Sequence, residues 1–290
     1  MLGSLIINLI LSWFFLLSHQ YAFVNSDWQA INLKPQAAEI VLNADKGAVL
    51  SVVDRSFLFK KNAEKPQPIA SITKLMTALV FLDHNPGWNE IYQITPADNI
   101  QGGHLNLFLG DRVKIKDLFY TSLIASDNGA TIALVHASGL SEKDFVSEMN
   151  LKAKKLSLSK TKFEDPIGLS DNNVSTASEV TWLAKEAFSH KEISETTTNS
   201  NYEFKTEGGD DKKIESTDNL LFDSAPGPWT LLGGKTGYTD TAGYCFVGRF
   251  KDQNGRELIV AVLGSSGKND RFKESKNLVS WVLQNYTWVK

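Results

Sequence analysis

The sequence predicts an α+β fold in three layers, with one antiparallel sheet built from both chain ends and helices on both of its faces. Three observations lead there. Short β-type runs lie near the two termini, the long middle of the chain has helical apolar spacing, and no repeat or low-complexity tract divides residues 36–290. Strands separated by so many helical segments satisfy their edges by pairing across the chain, and the helices then cover the faces. With 290 residues, 42% hydrophobic and 22% charged, the composition is that of an ordinary globular protein.

The elements follow in order. Residues 38–42 and 48–53 are β-type runs around the turn signal Asn43-Ala44-Asp45-Lys46-Gly47. Helical spacing marks 71–83, 115–125, 128–137, 143–156 and 178–188. The polar stretch 194–219 reads as a surface excursion turning at Gly208-Gly209. Near the end, 243–250 and 257–264 flank Asn254-Gly255, a two-strand hairpin signal. A final helix over 271–284 carries Phe272, Leu278, Val279, Val282 and Leu283 on one face.

The first residues are read differently. Positions 2–17 are almost wholly apolar and are followed by a polar stretch ending in Val24-Asn25-Ser26. Residues 1–26 are expected to be a cleaved export signal or a retained N-terminal anchor, 27–35 a linker, and 36–290 the folded domain. Either form of the segment places the domain outside the cytoplasm, with membrane contact only through such an anchor. A net charge of −3 with no dense Lys/Arg cluster argues against a nucleic-acid partner. The single cysteine, Cys245, excludes an intrachain disulfide and reads as a small core residue.

Three short patterns carry the chemistry. S-x-x-K occurs four times, but only Ser71–Lys74 opens a helix with an apolar face, where an i, i+3 pair shares one side. S-D-N occurs at Ser126-Asp127-Asn128, between two helical runs, and again at Ser170-Asp171-Asn172 in a polar turn; the first is the better candidate. K-T-G occurs once, at Lys235-Thr236-Gly237, with Gly233-Gly234 before it to permit close backbone approach. Each pattern is weak alone; their order and their placement at element boundaries are not. The five histidines have no nucleophile-elbow partner and no metal-ligand spacing, so neither a Ser-His-Asp triad nor a metal or other cofactor is expected.

On these residues the chain resembles the low-molecular-mass penicillin-binding proteins, the D-alanyl-D-alanine carboxypeptidases and endopeptidases. Ile69-Ala70-Ser71-Ile72-Thr73-Lys74-Leu75-Met76-Thr77 is very close to that family's nucleophile segment. Pro166-Ile167-Gly168-Leu169, Lys235-Thr236-Gly237-Tyr238-Thr239 and Arg271-Phe272-Lys273-Glu274-Ser275 also resemble its signatures. Gly129 departs from it, standing where the family often carries Asp. The resemblance covers about residues 36–288 and implies the β-lactamase/penicillin-binding-protein fold. It implies an exported serine peptidase acting on peptidoglycan stem peptides, with β-lactam antibiotics as acylating inhibitors.

By that resemblance Ser71 is the nucleophile, Lys74 its base and Ser126 a proton relay. Asn128 would hold the substrate amide. The backbone N–H groups of Ser71 and Tyr238 would form the oxyanion hole, and Lys235, Thr236 and Arg271, beside Gly237, would receive the carboxylate. Two rivals follow from the same patterns. A class A-like β-lactamase needs a further carboxylate, for which Glu164 is placed, though without the Leu-Asn pair that should follow it. A non-catalytic wall-binding module would not need every reactive residue to be present. Because Lys290 closely follows the last helix, with no second β-rich domain, endopeptidase-type members of the family are the nearer match.

Overall fold

A computed structural model describes residues 31–99, 106–224 and 227–288, so the expected signal or anchor at 1–26 lies outside the described residues. Among them, strands β1 (Asn32–Leu33), β2 (Lys46–Ser51), β3 (Phe57–Lys61) and β4 (Gln67–Pro68) precede helix α1 (Lys74–Asp83). Then come β5 (Ile91–Gln93), β6 (Arg112–Lys114), α2 (Ile115–Ile124), α3 (Asn128–Ala137) and α4 (Glu142–Lys155). Strand β7 (Val174–Ser175) leads to α5 (Ala177–Ala187), α6 (Lys191–Thr197) and the hairpin β8 (Asn201–Lys205) and β9 (Asp211–Glu215). The chain closes with β10 (Trp229–Thr239), β11 (Gly243–Asp252), β12 (Glu257–Ser265), α7 (Asp270–Asn285) and β13 (Tyr286–Thr287).

Two compact units are present. In the smaller, which joins residues up to Pro35 to those from Tyr286 onward, β1 pairs antiparallel with β13. The larger, Gln36–Asn285, is built on a five-stranded antiparallel sheet in the order β10-β11-β12-β2-β3. Strands from both ends of the unit therefore meet at its centre, where Val260 of β12 stands opposite Val49 of β2.

Side-chain alternation sends the sheet's residues to two cores. Ala48, Leu50, Val247, Ile259, Ala261 and Leu263 join the helical core with Val180, Leu183 and Ala187 of α5. The intervening residues Val49, Phe246, Leu258, Val260 and Val262 are equally buried. On that face Phe246 meets Phe272, and Phe59 meets Trp281, both partners lying on α7. These are the expected three layers. Helix α1 runs through the helical layer and is buried from Lys74 to Phe81, as a helix apolar on all sides must be. Lys74 is the one charged residue in that buried stretch.

One expected element is absent. Residues 38–42 form no strand, although their composition is β-like. Backbone groups at the start of this stretch and just past its end bond to side chains of α7 instead of to a sheet partner. Ala38 N donates to Asn285 Oδ1 at 3.0 Å, Ala38 O accepts from Trp281 Nε1 at 2.6 Å, and Asn43 N and Ala44 N donate to Glu274 Oε1 at 2.7 and 2.9 Å. The second oxygen of Glu274 accepts from Ser265 Oγ at 2.7 Å.

Glu274 is thus a buried acceptor for three donors from two segments. Glu274→Ala is expected to destabilise the protein by about 2–3 kcal/mol, through donors left without partners, read as a lower urea midpoint at unchanged slope.

Candidate active site

Ser71 stands in a 3-10 turn, Ala70–Thr73, that runs directly into α1. The helix proper begins at Lys74, one turn later than its apolar spacing predicts, yet the i, i+3 pair still meets: Lys74 Nζ lies 3.0 Å from Ser71 Oγ. The turn is reached through Ala70 at φ +47°, a left-handed conformation rarely adopted by residues with a side chain. Two glycines let other segments press against it. A Cβ on Gly168 would lie 2.1 Å from Ala70 O, and one on Gly237 would lie 2.8 Å from Ile69 O and 3.2 Å from Ser71 N.

Lys74 is enclosed. Besides Ser71 its Nζ donates to Asn128 Oδ1 and to Ile167 O, both at 2.7 Å. Burial lowers its pKa to about 7, against the opposing pull of Asp127 and Asp165.

The loop between α2 and α3 supplies the second hydroxyl. Ser126 has φ +58°, which turns the chain sharply, and Asp127 then caps α3 by accepting from Ala130 N at 2.8 Å. Lys235 Nζ, reaching across from β10, donates to Ser126 Oγ at 2.8 Å and to Thr236 O at 3.0 Å. Burial, together with the positive charges of Lys74 and Arg271, holds the Lys235 ammonium well below its usual pKa.

Strand β10 forms the far wall. Thr236 Oγ1 is 2.6 Å from Thr217 Oγ1. Arg271, on α7, is buried, donates through Nη1 to Gly237 O at 3.0 Å and Cys245 O at 3.3 Å, and stacks on Phe272. Tyr238 is half exposed and stacks on Tyr244 at 4.3 Å. The space between the walls is a cleft of about 670 Å3. Ser71, Ser126, Asn128, Thr236, Gly237, Tyr238 and Arg271 line it, and the two lysines stand directly behind its serines. All nine predicted site residues therefore meet in one place.

Other residues singled out in the sequence lie elsewhere. Of the second S-D-N triplet, the Ser170 hydroxyl and the Asn172 amide both bond to Glu164 at the surface. Glu164 is itself exposed, pairs with Lys162, and does not line the cleft, so it is not placed to activate water there. Among the described residues no histidine lines the cleft; His19 and His104 lie outside them.

The sequence reading overlooked several groups. Asp165 accepts backbone N–H groups of Ile167, Gly168 and Ser170, and this folded loop delivers Ile167 O to Lys74 and Gly168 to Ser71. An Asp-Pro-x-Gly string is an Asx-turn signal that could have revealed it. Asn106, held by Asp127 through its own N–H and its amide at 3.0 and 2.8 Å, also lines the cleft, as do Lys213, Thr217 and Lys268.

The fold and this cleft define a serine hydrolase in which a lysine, not a histidine, stands beside the Ser71 hydroxyl. The family model described as D-alanyl-D-alanine carboxypeptidase matches residues 35–267, and the chain belongs to that family. It is 28% identical to the D-alanyl-D-alanine endopeptidase of Escherichia coli, over 85% of this chain and 79% of that protein. With the endopeptidase of Haemophilus influenzae it shares 33% identity over 72% of each chain. A cefotaxime-bound penicillin-binding protein from Listeria monocytogenes superposes with a TM-score of 0.74 at 35% identity, covering 85% of this chain and 99% of that one. The chain has the penicillin-binding-protein fold.

Gly168 provides a local test. It has φ +89° and no room for a side chain, so Gly168→Ala must push the Ser71 turn aside. Covalent labelling of the protein by a β-lactam is expected to slow roughly 100-fold, the cost of an ångström-scale misplacement, while circular dichroism shows the fold retained.

Proposed function

We propose that the protein is a serine D-alanyl-D-alanine peptidase that cleaves peptidoglycan stem peptides through an acyl-enzyme on Ser71. One observation carries the reading: the environment of Lys74 Nζ. Two of its three partners, Asn128 Oδ1 and Ile167 O, are carbonyl oxygens that can only accept. A neutral amine has two N–H bonds, and these are satisfied there. Its lone pair then faces the remaining partner, the Ser71 hydroxyl at 3.0 Å. Burial makes that neutral form accessible near pH 7.

The steps follow from this arrangement. Lys74 accepts the Ser71 proton as Oγ attacks the carbonyl of the penultimate D-alanine. The developing oxyanion is met by the N–H groups of Ser71 and Tyr238, whose strand approaches the nucleophile turn at Gly237. Ser126 gives its hydroxyl proton to the departing amine and regains one from the Lys235 ammonium bonded to it. Thr236, Lys235 and Arg271 receive the substrate's carboxylate, and Asn128 and Asn106 border the acyl side. Water then resolves the ester, its proton returning through Ser126 to Lys235 while Lys74 gives its proton back to Ser71 Oγ.

The endopeptidase form of the reaction is favoured by the relatives of that name. The substrate lies outside the cytoplasm, and residues 1–26 fit an export segment. No helix among the described residues is long and apolar enough to cross a membrane.

Mass spectrometry after benzylpenicillin exposure tests the nucleophile: wild type is expected to gain one adduct on Ser71 and Ser71→Ala none. An unlabelled wild type would overturn the reading. Incubation with a cross-linked dimer and with uncross-linked pentapeptide separates the two peptidase forms, since exclusive release of D-alanine would reject the endopeptidase form. The limiting acylation rate at saturating ligand should rise with pH through about 7 and then level, because the active form of Lys74 is the unprotonated one and its pKa is lowered to that value. A rate independent of pH across that interval would remove Lys74 as the base.

A further inference from the structure

Asp218 lies between β9 and a 3-10 turn, Asn219–Phe222, which it caps by accepting from Leu220 N at 3.0 Å through Oδ1. It is 3% exposed. Its other oxygen, Oδ2, is buried without a hydrogen-bond partner among the described residues. A Cβ on Gly234 would sit 2.2 Å from that oxygen, so Oδ2 rests on the β10 backbone one residue before Lys235. Thr217, the residue before Asp218, is bonded to Thr236. Arg271 carries the matching defect, with Nε buried and unpartnered. A buried carboxyl with an unsatisfied oxygen needs a reason, since such an atom costs about 1–3 kcal/mol.

We propose that Asp218 is a positioning residue of the carboxylate-binding wall, which takes up a proton from solvent when the substrate's terminal carboxylate arrives beside Lys235 and Arg271. This rests on the peptidase reading above and extends it to how binding is coupled to pH.

The charges explain why. Arg271 on α7 and, in its protonated form, Lys235 on β10 are the cations that act on Asp218. In the unliganded site the Asp218 carboxylate offsets them. A substrate carboxylate at Thr236 brings a second negative charge to the same two cations, and the buried, incompletely bonded carboxyl is the one that yields. Burial has already raised its pKa to about 7, against the pull of Leu220 N, Arg271 and Lys235, so little further change is needed near neutrality. The sign follows from linkage. Anion binding favours protonated Asp218, so affinity for carboxylate ligands holds below about pH 7 and weakens above it. This acts on KM, opposite in direction to the effect of Lys74 on the limiting rate.

The test uses non-covalent binding to the Ser71→Ala protein, with an N-acylated peptide ending in D-alanyl-D-alanine as probe. Calorimetry in two buffers of different ionisation enthalpy at neutral pH counts protons. The expected result is net uptake of a substantial fraction of one proton, with Kd rising toward about tenfold per pH unit at higher pH. Adding Asp218→Asn, which keeps the cap acceptor, should abolish the uptake and flatten the Kd profile. Uptake that persists in the Asn variant would assign the proton to another group, Lys235 foremost, and overturn the proposal. Should the Asn variant fail to fold, the absence of uptake in the Ser71→Ala protein alone would overturn it. Benzylpenicillin labelling of wild type keeps the two readings apart: a labelled wild type with no proton uptake defeats this inference and leaves the peptidase reading intact.

Discussion

Two ammonium groups held out of water against two serine hydroxyls are the constraint on which this site depends. A buried, unpaired ammonium is costly, and proteins relieve the cost by neutralising the group or surrounding it with acceptors. Both remedies are used here. Lys74 has two carbonyl oxygens and a hydroxyl, and Lys235 a carbonyl oxygen and a hydroxyl, with no carboxylate among the described residues bonded directly to either. Because no carboxylate locks the proton in place, desolvation dominates and both amines lose their usual basicity. An aspartate bonded to either lysine would favour its charged form instead.

The carboxylates near the site are placed one step back, where they shape backbone. Asp165 gathers the N–H groups of the 167–170 loop, and Asp127 caps α3 while holding Asn106. Their charge still reaches Lys74 and pulls its pKa upward, against the burial that lowers it to about 7. Glycine makes the convergence sterically feasible: the 165–170 loop and β10 both touch the Ser71 turn at positions where a methyl group would collide with backbone. The sheet order explains why β10 is available for this. It is an edge strand, paired on one side with β11, and its other side faces the Ser71 turn and the cleft.

Much of this was legible in the sequence, and for a physical reason. Ser71 and Lys74 must share one helical turn, Ser126 and Asn128 one tight loop, and Lys235 to Tyr238 one strand, so the chemistry leaves short-range patterns. The helices were legible through apolar spacing, and the 254–255 turn through Asn-Gly, where Gly255 has φ +81°. What escaped were relations whose partners lie far apart in the chain. Asp218 gives no local sign that it will face Gly234, and residues 38–42 look like a strand because their composition cannot reveal that neighbouring N–H groups are claimed by Glu274. Strand β3 was missed as well: its Phe-Leu-Phe-Lys-Lys sequence breaks the period of two, and its register shifts between Val49 and Leu50 of its partner.

The central claim is that Lys74 is neutral over much of the physiological range because the fold buries it among acceptors. An NMR titration of lysine side chains labelled at Cε and Nζ, with the Lys74 signal assigned by its loss in Lys74→Ala, measures this directly. The account predicts that this signal titrates near pH 7, far below the 10.5 of an exposed lysine. A Lys74 signal that stays protonated until the pH reaches the range of the surface lysines would contradict it.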